Sequence, residues 1–407
     1  MEQKIGVKPK ARGAKSEAEP QDNEAPKPVG ELSFEQAMAE LERVVAALES
    51  NDAPLADSLA AYQRGAALMR HAQAILSHVE AEIEVVEAGQ SATLSRAELI
   101  RPDKGLMDFP RWLAASRLRV EAVLREALAA RLPMSTPGPA RRGDGILHEA
   151  MAYGLLGGGK RVRALLVIAA GEAVDADASW CAQVGAAIEC IHAFSLVHDD
   201  MPCMDDDALR RGQPTVHVKY GEAQALLVGD ALQTLGFELL TDLDAPPDRV
   251  VRLAKSMACA TGLQGMAGGQ AIDIEAVGQT MTQAELESMH ALKTGALIVS
   301  AVEMGAICGD PPATEMTAMR EFARRIGLAF QVADDILDVS ADAATLGKTP
   351  GKDAAANKPT FVALLGLTGA QDYARGLHQE ALDALAPLGR RASRLGALAQ
   401  MLVQRSY

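Results

Sequence analysis

Carboxylates crowd into two short stretches of this chain. Asp199, Asp200, Asp205, Asp206 and Asp207 fall within nine residues, and Arg210 and Arg211 follow at once. A second group, Asp334, Asp335 and Asp338, lies far downstream. Acids this close repel one another, and hard divalent cations bound through oxygen relieve that repulsion. A charge run is ordinarily a solvated face. Here each cluster closes an apolar helical run, roughly Ala178 to Val197 for the first and roughly Ala318 to Val332 for the second. Asp334 and Asp338 are four apart and share a helix face. Two such clusters facing each other would hold Mg²⁺, which keeps several waters and bridges protein to phosphate.

The cations fit a phosphate-bearing substrate. Gly157-Gly158-Gly159 is followed by Lys160, Arg161 and Arg163. Glycine lets backbone approach an anion, and the cations neutralise it. With Gly154 this nearly spells a nucleotide-binding loop, but Arg161 stands where a metal-binding Ser or Thr belongs and no strand precedes it. Arg210 and Arg211 can fork onto phosphate oxygens. Lys293-Thr294-Gly295 and Gly347-Lys348-Thr349 add groups of the same kind. His192 and His198 sit six apart beside Asp199, and without a cysteine set the setting suits Mg²⁺ better than zinc. His192 is expected to donate to a phosphate, and His198 to pack or to orient Asp199.

Helices must position these groups. The chain has 407 residues, 48% of them apolar and only 3% aromatic, and Ala, Leu and Gly abound. No alternating strand run of useful length appears, so the fold is expected to be all-α. From Trp112 onward helical patterns recur between breaks such as Ala245-Pro246-Pro247 and Asp310-Pro311-Pro312. The net charge of -14 argues against a surface that coats nucleic acid. Five cysteines, none in a C-x-x-C pair, read as reduced thiols. No secretory leader and no uninterrupted membrane span are read, so a soluble, cytoplasmic protein is expected.

The N-terminal part has its own organisation. Residues 1–30 lack apolar periodicity and are expected to be disordered. Ser33 with Gln36 forms a capping box, and Phe34, Met38, Leu41, Val45 and Leu48 form an apolar stripe. Pro54 opens a second stripe through Leu55, Leu59, Tyr62, Ala66, Met69 and Leu76. The two make an antiparallel helical hairpin over 31–88 with no catalytic constellation. Residues 89–106 read as a linker. Met107 opens the large domain, 107–407, and reads as the start of a formerly separate reading frame joined in frame.

The motifs of the large domain, taken in order, resemble those of short-chain trans-prenyltransferases, with bacterial farnesyl diphosphate synthase as the nearest type. The resemblance rests on Gly158-Gly159-Lys160-Arg161-Val162-Arg163, the Asp199 to Gly212 block, Gly229-Asp230, Gly268-Gly269-Gln270, Lys293-Thr294 and Gln331 to Asp338. It implies an all-helical bundle around a central cavity, a homodimer, and three Mg²⁺ ions per active site. It implies Mg²⁺ ligands at Asp199, Asp205 and Asp334, with Asp200, Asp335 and Asp338 as further ligands or orienters. Arg210, Lys293 and Lys348 would stabilise the leaving diphosphate of an allylic substrate. Lys160, Arg163, His192 and Arg211 would hold isopentenyl diphosphate, Thr294 and Gln331 would lie near the reacting carbons, and Lys358 would join the substrate-binding set. Phe194 and Ser195, five and four residues before Asp199, would floor the product tunnel. Where the family usually has Pro, this chain has Ala164, which is expected to loosen the turn. A geranylgeranyl synthase, a class I terpene cyclase, and a nuclease-assembly protein with a passive C-terminal domain are the alternatives.

The hairpin resembles the exodeoxyribonuclease VII small subunit through Ser33-Phe34-Glu35-Gln36, Leu48-Glu49-Ser50, Pro54-Leu55 and Tyr62-Gln63-Arg64-Gly65. That implies a non-catalytic subunit that binds a large nuclease subunit acting on single-stranded DNA, without strong DNA binding of its own.

Overall fold

The computed structural model describes Glu40, Arg64 and residues 109–131, 144–340 and 359–403. The chain divides into two units, Met1–Ser91 and Ala92–Tyr407. In the first, Glu40 and Arg64 are both helical, and Arg64 Nε donates to Glu40 Oε1 at 2.6 Å. The pair is 24 positions apart and joins the two stretches expected to be helices. The remainder of residues 1–106, and Lys348 and Lys358, lie outside the described residues.

The second unit is helical. In chain order it comprises α1 (Phe109–Ala130), α2 (Asp144–Leu156), α3 (Val162–Ala173), α4 (Ala178–Asp199), α5 (Val216–Tyr220), α6 (Glu222–Thr241), α7 (Pro247–Thr261), α8 (Met266–Glu275), α9 (Gln283–His290), a π-turn (Ala291–Gly295), α10 (Ala296–Gly309), α11 (Ala313–Ser340), α12 (Phe361–Ala384) and α13 (Ser393–Val403). Two-residue strands β1 (Leu209–Arg210) and β2 (Gln213–Pro214) form the only sheet among the described residues. Pro247 sits in the first turn of α7, where its missing N–H costs nothing.

Helix α4 runs through the middle, packed chiefly against α6 and α3. Val184, Ile188, Ile191 and Val197 are buried along it, as are small residues between them. Asp177 caps its start, accepting from Ser179 N at 2.8 Å and Trp180 N at 3.1 Å. Two helices, Ala178–Asp199 and the continuous Gln283–Gly309, have the length and mean apolarity of a membrane span, but charged residues such as Glu189 and Lys293 interrupt them, and 72% and 61% of their most apolar stretches are buried inside the protein. A helix surrounded by other helices is apolar on all sides for that reason.

Helix α11 is longer than expected. It continues to Ser340, so Asp334, Asp335 and Asp338 lie within it rather than at its end. Helix α12 lies along it and satisfies the acid that would otherwise break it: Asp335 Oδ2 accepts the Phe361 backbone N–H at 2.8 Å. Phe322 and Phe361 are fully buried in this part of the core, each contributing about 1.5–3 kcal/mol. Glu172 of α3 joins α1 and α13, accepting from Trp112 Nε1 at 3.0 Å and Arg394 Nη1 at 2.5 Å. All five cysteines are free thiols.

Candidate active site

The first acidic cluster curls over the end of α4. Asp205 N donates to Asp199 O at 2.9 Å, Asp206 N to Met201 O at 3.2 Å, and Asp207 N to Asp200 O at 3.1 Å. These bonds fold the run back onto the helix terminus instead of releasing it to solvent. Asp200 is buried and forked by Arg210, whose Nε lies 2.9 Å from both carboxylate oxygens while Nη2 lies 2.6 Å from Oδ1. Asp200 therefore holds Arg210, and the geometry gives it an orienting part.

A tight hairpin carries the arginines. Leu209 pairs with Pro214 and Arg210 with Gln213, and the intervening Arg211 and Gly212 have φ of 54° and 74°. Two consecutive positive φ angles make the type I′ geometry that suits a two-residue hairpin. Tyr153 OH donates to Pro214 O at 2.6 Å and ties the hairpin to α2. Arg211 Nη1 donates to Gly158 O. Its guanidinium covers Gly159, where any Cβ would come within 2.8 Å of it, and Gly159 has φ of 133°. The hairpin and the glycine turn are thus one assembly. Arg117 Nε adds a bond to Lys160 O at 3.3 Å.

The π-turn packs against α8 and against α11, the helix that carries the second acidic cluster. Lys293 Nζ pairs with buried Asp273 of α8 at 2.6 Å. A Cβ on Gly269, one turn earlier on α8, would meet Lys293 N at 2.2 Å, so the turn is seated on bare backbone. Thr294 Oγ1 donates to Gln331 Oε1 at 3.0 Å, and Gln331 Nε2 donates to Asp335 Oδ1 at 3.0 Å. Both Asp335 oxygens are therefore engaged by protein. One Asp338 oxygen, Oδ1, is buried without a hydrogen-bond partner.

The charges of the site are unevenly compensated. Burial pushes the Asp199 carboxyl up to about 6; the Lys293 ammonium is the strongest opposing influence, Asp205 and Asp200 push further up, and Arg210 opposes them. Burial likewise raises Asp200 against the pull of Arg210. His192 is driven well below its ordinary value by burial and then by Arg163, Arg211, Arg210 and Arg161, so its imidazole is neutral at physiological pH. An under-neutralised Asp199 and an orphaned Asp338 oxygen fit a hard divalent cation. Among the described residues, no three His, Cys, Asp or Glu form a metal-binding group by themselves. A cation here would rest on few protein carboxylates and on substrate oxygens, as suits Mg²⁺.

Phe194 and Ser195 lie on the last turns of α4. The Phe194 ring meets His198 edge-on at 5.8 Å, and Ser195 Oγ donates to His192 O at 2.9 Å. His198 Nε2 lies 3.0 Å from Leu226 O, which packs it against α6. A cavity of about 60 Å³ lies between Tyr153, Leu196, Asp200, Arg210, Arg211 and Thr215. A groove of about 970 Å³ elsewhere is lined by residues such as Arg252, Glu287, Glu303 and Arg320 and contains none of the acidic clusters. Charge, not volume, marks the site.

Sequence reasoning placed Arg161 among the anion-facing cations, which the structure corrects, and it missed Glu189 and Asp273. Arg161 turns inward, donating from Nη2 to Leu155 O at 2.9 Å. Glu189 is 3% exposed in the middle of α4 and accepts the Ala164 N–H at 3.1 Å. Ala164, expected to loosen its turn, is fully buried and bonded. The signal for Glu189 was a lone carboxylate in an apolar helix, which is rarely buried without a partner. Asp273 stands four residues after Gly269, on the same helix face.

Residues 34–85 match the exonuclease VII small subunit family. The farnesyl diphosphate synthase of Escherichia coli is 45% identical over 308 residues, covering 74% of this chain and all of that protein. A chloroplastic geranylgeranyl pyrophosphate synthase of Capsicum annuum is 45% identical over 264 residues, covering 64% of this chain and 72% of that protein. Two solved structures share the fold: an FPP/GFPP synthase from Zymomonas mobilis (TM-score 0.62, 40% identity, 71% of this chain and 99% of that one) and a geranyltransferase from Helicobacter pylori complexed with magnesium and isoprenyl diphosphate (TM-score 0.63, 33% identity, 74% and 99%). The polyprenyl synthetase model spans residues 144–386, which hold both acidic clusters, the glycine turn and the π-turn, and the chain belongs to that family.

Proposed function

We propose that residues 107–407 form a Mg²⁺-dependent prenyltransferase that joins isopentenyl diphosphate to dimethylallyl and then geranyl diphosphate, and stops at farnesyl diphosphate. The observation that carries this reading is the π-turn. The Lys293 charge acts on Asp199 from it, and Thr294 is linked through Gln331 to Asp335, so one element bears on both clusters. The Helicobacter pylori relative solved with magnesium and isoprenyl diphosphate supports the same ligands.

Asp199, Asp205 and Asp334 would hold Mg²⁺, three ions per site, with Asp338 beside Asp334 on its helix face. Bound there, Mg²⁺ supplies charge neutralisation and Lewis acidity to the diphosphate oxygens. Lys293, Arg210 and Lys348 offer fixed positive charge where the allylic C–O bond breaks and its electron pair departs with diphosphate. Lys160, Arg163, Arg211 and the neutral N–H of His192 hold isopentenyl diphosphate, and Lys358 joins them. Its double bond then supplies the electron pair of the new C–C bond to the allylic cation. The carbocation so formed loses a proton, which the released diphosphate accepts. Thr294 and Gln331, locked by their mutual hydrogen bond, flank the reacting carbons.

Residues 31–88 are proposed to act as a non-catalytic exodeoxyribonuclease VII small subunit that binds the large subunit. The whole works in the cytoplasm as a homodimer through its large domain.

Incubation of the purified chain with dimethylallyl and isopentenyl diphosphates and Mg²⁺ is expected to give a fifteen-carbon diphosphate. Cyclised hydrocarbon, or no product, would reject the reading. The likeness to a geranylgeranyl synthase favours a second reading with a twenty-carbon product. Phe194 decides between them: Phe194→Ala is expected to lengthen the product, and an unchanged product would remove Phe194 from the tunnel floor.

A further inference from the structure

We infer that Glu189 is a positioning residue for the diphosphate of isopentenyl diphosphate, holding the Gly157–Arg163 turn in its binding shape from the middle of α4. The inference rests on the proposed assignment of Lys160 and Arg163 to that diphosphate.

The turn is strained and densely cationic. Gly158, Gly159 and Arg161 all have positive φ, and Arg161 at φ 50° is unusual for a residue with a side chain. Helix α3 begins within it, at Val162, with Arg161 at the N-cap position and no side-chain cap of its own. The first N–H groups of a helix need acceptors from outside. Glu189 provides one from another helix: its Oε1 accepts the Ala164 N–H at 3.1 Å. A carboxylate at a helix N-terminus is also favoured by the helix dipole. A proline at 164 would have no N–H to give.

The other oxygen meets the charge. Glu189 Oε2 lies 3.6 Å from Arg161 Nη1, and both side chains are about 96% buried. Arg161 is held inward by Glu189, by Leu155 O and by Glu121 at 3.7 Å, so it does not face a ligand. The Glu189 carboxylate also acts favourably on Arg163 and Arg211. Without it, three guanidinium groups would converge on one turn with less compensation before any anionic substrate arrives. Removing one partner of a buried ion pair leaves a charge the surroundings cannot satisfy. His192 is three residues beyond Glu189 on the same helix, so one helical turn carries both the anchor of the turn and a phosphate donor.

Steady-state kinetics of the full chain test this. Glu189→Gln keeps the acceptor for Ala164 and removes the charge. It is expected to raise KM for isopentenyl diphosphate ~10-fold, while KM for dimethylallyl diphosphate stays within ~2-fold, since the displaced groups serve one substrate. A general loss of structure would raise both. Lys160→Ala is measured alongside. If it leaves the isopentenyl KM unchanged, the subsite assignment fails and the inference falls with it. If it raises that KM while Glu189→Gln raises neither or both equally, the inference alone is overturned. Ala164→Pro removes the N–H and keeps every charge, so it decides the matter should Glu189→Gln not fold. A selective rise of ~3-fold supports the anchoring role, and an unchanged KM overturns it.

Discussion

Asp200 and Asp335 stand in the densest acidic stretches, yet each gives its oxygens to protein partners. For Asp200 the partner is the Arg210 fork. Arg210→Lys preserves charge but not the two-pronged geometry. It is expected to destabilise the chain by about 1.5–3 kcal/mol in denaturant unfolding, the worth of hydrogen bonds to a charged group, and to lower kcat/KM for the allylic substrate. Stability within about 0.5 kcal/mol of the parent would show that the fork is dispensable. Which acids would face a cation was not legible from residue type: adjacent aspartates on a helix point to different faces. The identity of the cluster was legible, because only a compensated site tolerates so many acids after an apolar helix. Arg161 and Lys160 are likewise neighbours of the same charge, and only the positive φ at 161 turns one inward.

Among the elements, the helices were legible and the device that positions Lys293 was not. Apolar periodicity gave α4 to within two residues of its C-terminal end, but stopped α11 short, since one of the acids that looked like a terminus, Asp335, accepts the first N–H of α12 inside a continuing helix. The π-turn has no local signature in Ala291-Leu292-Lys293-Thr294-Gly295; it arises from packing against α8. Such turns occur frequently at functional sites. Gly269→Ala would press a methyl group into the Lys293 backbone, where nothing flexible can yield. It is expected to lower kcat by ~100-fold through displacement of Lys293 and Thr294, and wild-type kcat would refute the seating. At the other end of α4, Asp177→Ala is expected to cost ~1 kcal/mol. Hydrogen bonds from the Ser179 hydroxyl and from backbone N–H groups hold the Asp177 carboxyl below its ordinary value. Its contribution is therefore complete above the unfolded value of about 3.9 and is lost as pH falls through the lower folded value. The difference in Tm between the parent and Asp177→Ala should shrink on acidification below about pH 4; a constant difference would contradict the cap.

In the whole molecule, the chain divides into two units, and the proposed functions are expected to separate by single substitutions. Every group proposed for prenyl transfer lies beyond residue 107, while the Arg64–Glu40 pair belongs to the first unit alone. Arg64 and Glu40 side chains are 26% and 22% exposed, so reversing one charge replaces attraction by repulsion in a partly shielded place. Arg64→Glu in the full chain is expected to abolish co-purification with an exonuclease VII large subunit and to leave prenyl transfer within ~2-fold of the parent, as befits sites without shared partners. Lys293→Ala is expected to do the reverse: little turnover, because fixed charge at the leaving diphosphate is gone, and unchanged capture of the large subunit. Both measurements belong on the same preparations. If either substitution removes both properties, the units are coupled through their folding. If Arg64→Glu leaves capture intact, the pair does not shape the docking surface of the hairpin. If the parent chain captures no large subunit while Lys293→Ala abolishes its prenyl transfer, the first unit has kept its sequence pattern without its partner.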